Sequence, residues 1–456
     1  MTVACAILIS AVPLSAEQEN SARAFAETVS TDVITLTMAD AINIALSENI
    51  KIQSASEDVV RAIGDSKANS SGLYPTIELS GTANKKIENA FNGDTGEERN
   101  AGIKVSYTLY SGGKNSALNE QGKLGVKNAE DTLFDTKESV ILSVWKAYCT
   151  VLYRKEVLVA TTGALDYYTK AVQEQTRRLE LGASTNLDLS RMKQQFESAH
   201  ANHISAGNDL DSSHAALCLL LRISPKIRLK LTGNLSDGLP DKGMLTKATV
   251  DEFEITYKNA LARRGDYQAL IAQREIDKKE IMVAASGMKP RVSLSGGYAW
   301  NYEKYTYIDL DSTDEWNAKI SISVPLFDGG KTEGETVSAK STYKQSNLSV
   351  QDKEDEIKVS LIDAHLTLVN ALGMADAGRA EVEYGRQSLK YAEVGYREGV
   401  NTQLDLIQAR TDLTNAQKNY AEYLYECRVA QASLWREEGI LTHKTVFSET
   451  SDRGVK

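Results

Sequence analysis

The sequence predicts an internally duplicated protein of the α plus membrane β class, built from very long helices and two β-hairpins per copy of the chain. Three observations predict it. Short motifs recur in the same order at a nearly constant spacing. Two helical patterns run from Lys114 to Leu181 and from Lys331 to Glu398 without a proline. Alternating strand patterns long enough to cross a bilayer are present, but only four of them, too few to close a barrel alone.

Composition sets the outer limits. Among 456 residues only 6 are proline, which leaves long helices uninterrupted, while 42% hydrophobic residues exclude a wholly disordered chain. A formal net charge of −10 leaves no basic footprint for nucleic acid. The four cysteines (Cys5, Cys149, Cys218, Cys427) show no CxxC spacing, and the last three fall in helical patterns as small buried apolar residues. The apolar run Val3 to Ala16, followed by Ala24-Phe25-Ala26, reads as an export signal over 1–26, although no Lys or Arg precedes it.

The duplication orders the rest. YPTIELSG at 74–81 recurs as KPRVSLSG at 289–296, with Pro75 and Pro290 215 residues apart. ALSENIKIQSA at 45–55 and ALARRGDYQAL at 260–270 keep that spacing. SYTLYSGGK ending at Lys114 and SVPLFDGGK ending at Lys331 stand 217 apart, as do Gly182 and Gly399 in LGASTNLDL and EGVNTQLDL. Two repeats follow, 27–223 and 249–440, with a linker at 224–248 and a tail at 441–456.

Each repeat opens with one helix, Leu36 to Gly72 or Val250 to Gly287. A proline then starts a strand in which Ile77, Leu79, Gly81 and Ala83, or Val292, Leu294, Gly296, Tyr298 and Trp300, alternate with polar residues. Polar loops are expected at 91–98 and 307–315. The returning strands carry Ile103, Val105, Tyr107 and Leu109, or Ile320, Ile322, Val324 and Leu326, with Pro325 near the second strand's end. Double glycines at 112–113 and 329–330 turn the chain into the long helices, each about 100 Å at 1.5 Å per residue. Gly182 and Gly399 end them, and helices return over Asn186 to Leu221 and Gln403 to Glu438.

The two shorter helices of a repeat sum to the length of the long one, so each repeat is a wall two helices wide with a hairpin at one end. Open strand edges are not viable in lipid, so closure requires several chains. Three chains supply twelve strands and twelve helical positions; two or four would also close. Tyr298, Trp300, Tyr302, Tyr305, Tyr307 and Trp316 gather around the second hairpin, as membrane-interface aromatics do. A scaffold of coiled coils carrying two hairpins is the competing architecture, but no strict heptad is sustained and isolated hairpins need a sheet to join.

Enzymatic signatures are weak. His200 and His203 lack a completing cysteine or carboxylate, so no metal site is expected. No P-loop, dinucleotide fingerprint or nucleophile elbow occurs, which argues for neither cofactor nor enzyme.

The helix-hairpin segment YREGVNTQLDLIQARTDLTNAQ at 396–417, with Tyr396, Gly399, Leu404, Asp405, Ala409, Leu413 and Ala416 at helical spacing, resembles the TolC-like outer-membrane channels of efflux and type I secretion systems. The strand starts and the LYSGGK and LFDGGK strand ends are similar to that family too, and the resemblance spans about 36–440. It implies a homotrimer in the outer membrane, with a 12-stranded β-barrel on a 12-helix periplasmic tunnel. It also implies a periplasmic adaptor (membrane fusion protein), an ABC or proton-driven inner-membrane transporter, and passive conduction. The DGGK strand end and LDL tips lean toward type I protein secretion over small-molecule efflux.

At the helix tips residue chemistry points to caps, and the resemblance adds roles in docking and at the pore. Ser184, Thr185 or Asn186, and Asn401 or Thr402, are placed to cap the returning helices beside Gly182 and Gly399, on the surface where an adaptor would dock. Asp188 and Asp405 suit helix N-termini, and a ring of Asp405 from several chains would constrict the pore and attract cations. Where the family's pattern has a second inward Asp, this chain has Gln408. Tyr396, Arg397 and Arg178 are candidate partners of a closed-state tip.

Overall fold

The computed structural model describes residues 34–89, 94–224, 227, 229–240, 250–305 and 308–441. The expected export signal at 1–26, Tyr307 and nearly all of the tail at 441–456 lie outside the described residues, as does much of the linker.

The two repeats follow the same path. In the first, β1 (Ile34–Leu36) leads to α1 (Met38–Glu48) and α2 (Ile50–Ser70), then the hairpin β2 (Thr76–Asn89) and β3 (Asp94–Ser111), the long α3 (Lys114–Glu180) and the returning α4 (Asn186–Leu220). In the second, β4 (Leu229–Leu231) precedes α5 (Val250–Arg263), α6 (Gly265–Ala285), β5 (Arg291–Tyr305), β6 (Ile308–Ser323), α7 (Lys331–Arg397) and α8 (Gln403–Glu437). The long helices are 67 residues each. Gly113 and Gly330, with φ of 91° and 85°, let the chain turn from strand into helix.

Four sequence expectations are corrected. The opening helices expected to be unbroken each divide, at Asn49 (φ −71°, ψ 125°) and at Arg264 (φ −67°, ψ 122°). Asn49 caps α2 by accepting from the Lys51 N–H at 2.9 Å, so its side chain stabilises the extended residue that a continuous helix would forbid. The strands extend into the expected polar loops, as far as Asp94 and Ile308. β6 stops at Ser323, before Pro325, whose missing N–H ends the ladder. The linker contributes β4, which pairs parallel with β1 across the start of the chain.

Tyr148 locks that pairing, donating its hydroxyl to the Thr232 carbonyl at 2.6 Å while accepting from the Thr232 N–H at 3.1 Å. Around it lies the main apolar core, where α1, the middle of α3 and the C-terminal half of α8 meet. Trp145 and Trp435 meet edge to face at 5.6 Å there, and Cys149, Cys218 and Cys427 are buried thiols within it.

Packing runs as a single wall. Near the sheet the order is α2, α3, α6, α7; toward the helix tips it is α4, α3, α8, α7. The sheet order is β2-β3-β5-β6, all antiparallel. One flank of the molecule therefore carries β2, α2 and α4, and the other carries β6 and α7.

Candidate functional site

Two surfaces carry the sequence-predicted residues: the helix tips and the four-stranded sheet.

At the tips both long helices end in the same motif. Gly182 and Gly399 adopt φ of 72° and 75°, a left-handed geometry that a side chain resists. In the first copy the Ala183 N–H donates to the Arg178 carbonyl at 2.7 Å and the Gly182 N–H to Leu179 at 3.0 Å. In the second, Val400 donates to Gly395 at 2.8 Å and Gly399 to Tyr396 at 3.3 Å. These pairs satisfy carbonyls that the helix end leaves without intrahelical partners.

The returning helices are capped by Thr185 and Thr402, which settles the alternatives the sequence left open. The Thr185 hydroxyl accepts from the Asp188 N–H at 3.2 Å and donates to the Asp188 carboxylate at 2.7 Å. The Thr402 hydroxyl makes the same pair with Asp405, and the Thr402 N–H adds a third bond to the Asp405 carboxylate at 2.8 Å. Hydrogen bonds from Thr402 hold the Asp405 carboxyl below the usual carboxylate range. Asp405 is fully exposed in the single chain, with one carboxylate oxygen taken up by the cap.

The other candidates take distinct places. Ser184 accepts a hydrogen bond from Gln175 rather than capping. Asn401 lies against Gly395, with its N–H donating to the Gly395 carbonyl at 3.1 Å. Tyr396 donates its hydroxyl to the Gln175 side chain at 3.2 Å, and Arg178 stacks over the Tyr396 ring at 5.1 Å while pairing with Glu174 at 3.1 Å. Gln408 donates to Asp412 at 2.8 Å, and Arg397 is exposed at the end of its helix.

Three residues that sequence reasoning missed complete the tip. Gln175 is buried and links Ser184 to Tyr396 across two helices. Gln403 is buried and donates to the Asp188 carbonyl at 2.9 Å, joining the two capped turns. Arg410, also buried, lays its guanidinium over Tyr167 at 5.1 Å. No motif singles out these residues; the only signal is a polar or charged residue recurring on the inward side of a helical pattern.

The sheet has two unlike faces. On one, in cross-strand register, stand Ile77, Leu79, Ile103, Val105, Leu294, Tyr298, Trp316 and Ile320. Leu79 is 79% exposed and Trp316 81% exposed, so this apolar face is uncovered in the single chain. On the other stand Glu78, Ser80, Lys104, Ser106, Ser293, Ser295, Asn317 and Lys319. The predicted aromatics cluster on the apolar face: Tyr298 packs on Trp316 at 5.0 Å and Trp300 on Tyr302 at 6.1 Å. Tyr305 closes β5, and its side chain lies outside the described residues. Alternation of lipid-facing apolar and inward polar residues is the pattern of a transmembrane barrel strand.

Comparison with known proteins agrees with this geometry. The sequence model of the outer membrane efflux protein family matches residues 41–221 and 256–436. Outer membrane protein TolC of Vibrio cholerae is 24% identical over 351 residues, covering 76% of this chain and 78% of the relative. Alkaline protease secretion protein AprF of Pseudomonas aeruginosa is 23% identical over 308 residues, covering 67% of this chain and 62% of the relative. The solved structure of CusC superposes with a TM-score of 0.78 at 19% identity, covering 88% of this chain and 92% of CusC. The long helices and the four-stranded sheet together share the fold of the solved CusC structure. The chain belongs to the outer membrane efflux protein family.

Proposed function

We propose that three copies of this chain close into one passive exit duct, which receives cargo from an inner-membrane transporter through a periplasmic adaptor. The observation that carries this reading is the sheet: one apolar face, one polar face and two unpaired edges, β2 and β6. Such a sheet cannot stand in lipid until β6 of one copy pairs with β2 of the next. The helical wall has matching flanks. Val359, Ile362 and Leu366 of α7 are exposed, as are Val60 and Ile63 of α2 on the opposite flank. A head-to-tail contact that repeats and closes satisfies both. Twelve strands would then form the barrel, with the polar face lining its lumen.

At the far end, Asp405 from each copy would ring the constriction, with Asp188, Gln408, Tyr396, Arg397 and Arg178 around it. The tips at Gly182, Ser184, Thr185, Gly399, Asn401 and Thr402 form the surface for the adaptor. The motif lean toward protein cargo rests on the DGGK strand end and the LDL tips alone, since a protease secretion protein and a protein named for cation efflux are both relatives. Neighbouring genes test that lean: an ABC transporter beside a large repeat protein supports it, and a proton-driven pump overturns it.

The duct itself is tested by mass and conductance. Detergent-extracted protein should weigh as a trimer and give discrete, cation-preferring steps in a planar bilayer. A monomer that stays soluble without detergent and conducts nothing would overturn the barrel.

A further inference from the structure

The duplication extends to the register of the strands. In the first hairpin Ile77 faces Val105 and Gly81 faces Ala101; in the second Val292 faces Ile322 and Gly296 faces Ala318. One hairpin maps onto the other when β2 is moved on by 215 residues and β3 by 217, the two offsets of the repeat. β5 and β6 are therefore copies of β2 and β3 in pairing as well as in sequence. The chain makes one more junction in this sheet, between β3 and β5. Its copy would join β6 to a strand equivalent to β5. Only β2 is such a strand, and within one chain it lies at the opposite edge of the sheet.

A difference between the hairpins marks the missing junction. β3 runs on to Ser111, past Ser106, the last residue that faces β2. That extension pairs with β5 alone: Tyr107 with Leu294, Thr108 with Ser293, Tyr110 with Val292 and Ser111 with Arg291, with a bulge at Leu109. β6 stops at Ser323, the equivalent of Ser106. Beyond it Leu326 and Phe327 are 89% and 86% exposed, whereas their equivalents Leu109 and Tyr110 are 51% and 48% exposed. Both segments end in the same turn, since Asp328 accepts from the Thr332 N–H at 2.9 Å as Ser111 accepts from the Asn115 N–H at 3.1 Å. What differs is the neighbouring strand.

We propose that residues 324–328 continue β6 as a strand against β2 of a second copy, in the register that the β3–β5 junction prescribes. That register sets Ser323 opposite Ser80 of the next copy, Ile322 opposite Gly81, Ser321 opposite Thr82 and Val324 opposite Leu79. The alignment rests on the barrel reading and adds to it the register of the seam. The faces agree: Ile322 and Gly81 both belong to the apolar face, and Ser323 and Ser80 to the polar one. Side-chain size agrees as well, because Ile322 would meet Gly81 as Val105 meets Gly296. Leu79 and Val324, both exposed in the single chain, would cover each other. Pro325 falls beside the position of the β3 bulge, where a strand tolerates a missing N–H. The proline that ends the ladder inside the chain therefore does not bar the seam.

Engineered disulfides read the register. Ser80, Thr82, Ser321 and Ser323 are small hydroxyl residues that cysteine replaces with little change of volume. They stand on opposite edge strands of one chain, so any bridge joins two copies. Ser323→Cys with Ser80→Cys, and Ser321→Cys with Thr82→Cys, are directly opposed pairs, with Cα atoms about 5 Å apart. Ser321→Cys with Ser80→Cys, and Ser323→Cys with Thr82→Cys, are diagonals at about 7–8 Å, too far for an unstrained disulfide. The full chain is oxidised in outer-membrane fractions with copper phenanthroline and run on a denaturing, non-reducing gel. The opposed pairs should give covalent trimer in at least about tenfold greater yield than the diagonals. Both arms use the same four cysteines, so differences in their reactivity cancel. A diagonal that bridges as well as the opposed pairs, or no bridge in any pair, overturns the register. Val324→Cys with Leu79→Cys should bridge too, and its failure while the opposed pairs bridge overturns the continuation past Ser323. The mass of wild-type protein in detergent separates the two readings. A trimer with diagonal or absent bridges removes the seam alone, whereas a monomer removes the duct and the seam with it.

Discussion

Gln403 reaches across the tip to donate to the backbone carbonyl of Asp188 at 2.9 Å, so the first turns of the two returning helices are tied although 215 residues separate the partners. Tyr396 adds a second tie by donating to Gln175 at 3.2 Å. Each such bond contributes about 1 kcal/mol net, and the two act on the same narrow end of the wall. Combining Gln403→Ala with Tyr396→Phe should raise the resting single-channel conductance several-fold in planar bilayers, with each single variant giving less. A double variant that conducts like wild type would show that these ties do not hold the tip closed.

Thr402 sets the charge state of Asp405. Its hydroxyl and N–H both donate to the carboxylate, which lowers the Asp405 pKa. A group with a depressed folded-state pKa loses its charge, and the stability tied to that charge, only as pH falls through the depressed value. Cation preference should therefore persist on acidification below the ordinary carboxylate range. Thr402→Val removes the hydroxyl, and the loss of selectivity should then begin at higher pH. Asp405→Ala should abolish the acid-sensitive step. Reversal potentials measured across a salt gradient from pH 7 to pH 3 decide this, and an identical midpoint in Thr402→Val would place Asp405 outside the constriction.

Near the middle of the wall two carboxylates titrate in opposite directions. Burial raises Asp266, but the hydrogen bonds and charges of Arg264 and then Lys353 outweigh it and hold the group at about 2. Its Oδ1 and Oδ2 accept from the Arg264 guanidinium at 3.0 and 2.8 Å. The stability it supplies is complete above the ordinary carboxylate range and is lost as pH falls toward 2. Glu138, 3% exposed, is raised to about 7, first by burial and then by Asp135, against the opposing charges of Arg436 and Arg264. A raised acid is stabilising below its unfolded value and loses that contribution as pH rises through 7. Glu138→Gln should accordingly stabilise the protein by roughly 2 kcal/mol at pH 8 and leave it unchanged at pH 4. Thermal unfolding at the two pH values checks the difference; an equal effect at both would mean that Glu138 does not titrate there.

The long helices and their ends were legible because their signals are local. Gly182 and Gly399 adopt the backbone geometry that glycine alone tolerates freely, and no proline interrupts the intervening helices. That a cap follows each glycine was readable too, but the sequence left it open among Ser184, Thr185 and Asn186 and between Asn401 and Thr402, and the structure assigns it to Thr185 and Thr402. What stayed hidden depends on partners remote in the chain. Asn49 and Arg264 look acceptable within a helix, and only packing shows that each breaks one. The β1–β4 ladder is three residues long and joins Leu36 to Leu231. Gln175 and Gln403 are ordinary polar residues until the fold buries them against Tyr396 and Asp188. The apolar strand face was readable from period-two alternation, but the row Lys85–Glu97–Lys304 emerges only from the register of three strands.

That register also grades the cost of a charge on the lipid face. Val105 pairs with Gly296, midway along the apolar span, whereas Ile322 pairs with Val292 at its lower edge. A lysine at the midplane of an outer-membrane barrel costs about 2–4 kcal/mol, falling to about 0–1 near the interface. Val105→Lys should therefore sharply reduce the heat-sensitive oligomer recovered from the outer-membrane fraction, and Ile322→Lys should reduce it less. Ser106→Lys lies one residue from Val105 on the polar face, beside Ser295, and should assemble normally. The decisive comparison is between Val105 and Ser106, because one residue along a strand exchanges lipid for lumen without changing depth appreciably. Normal assembly of Val105→Lys together with failure of Ser106→Lys would invert the faces, and would carry the aromatic band into the lumen.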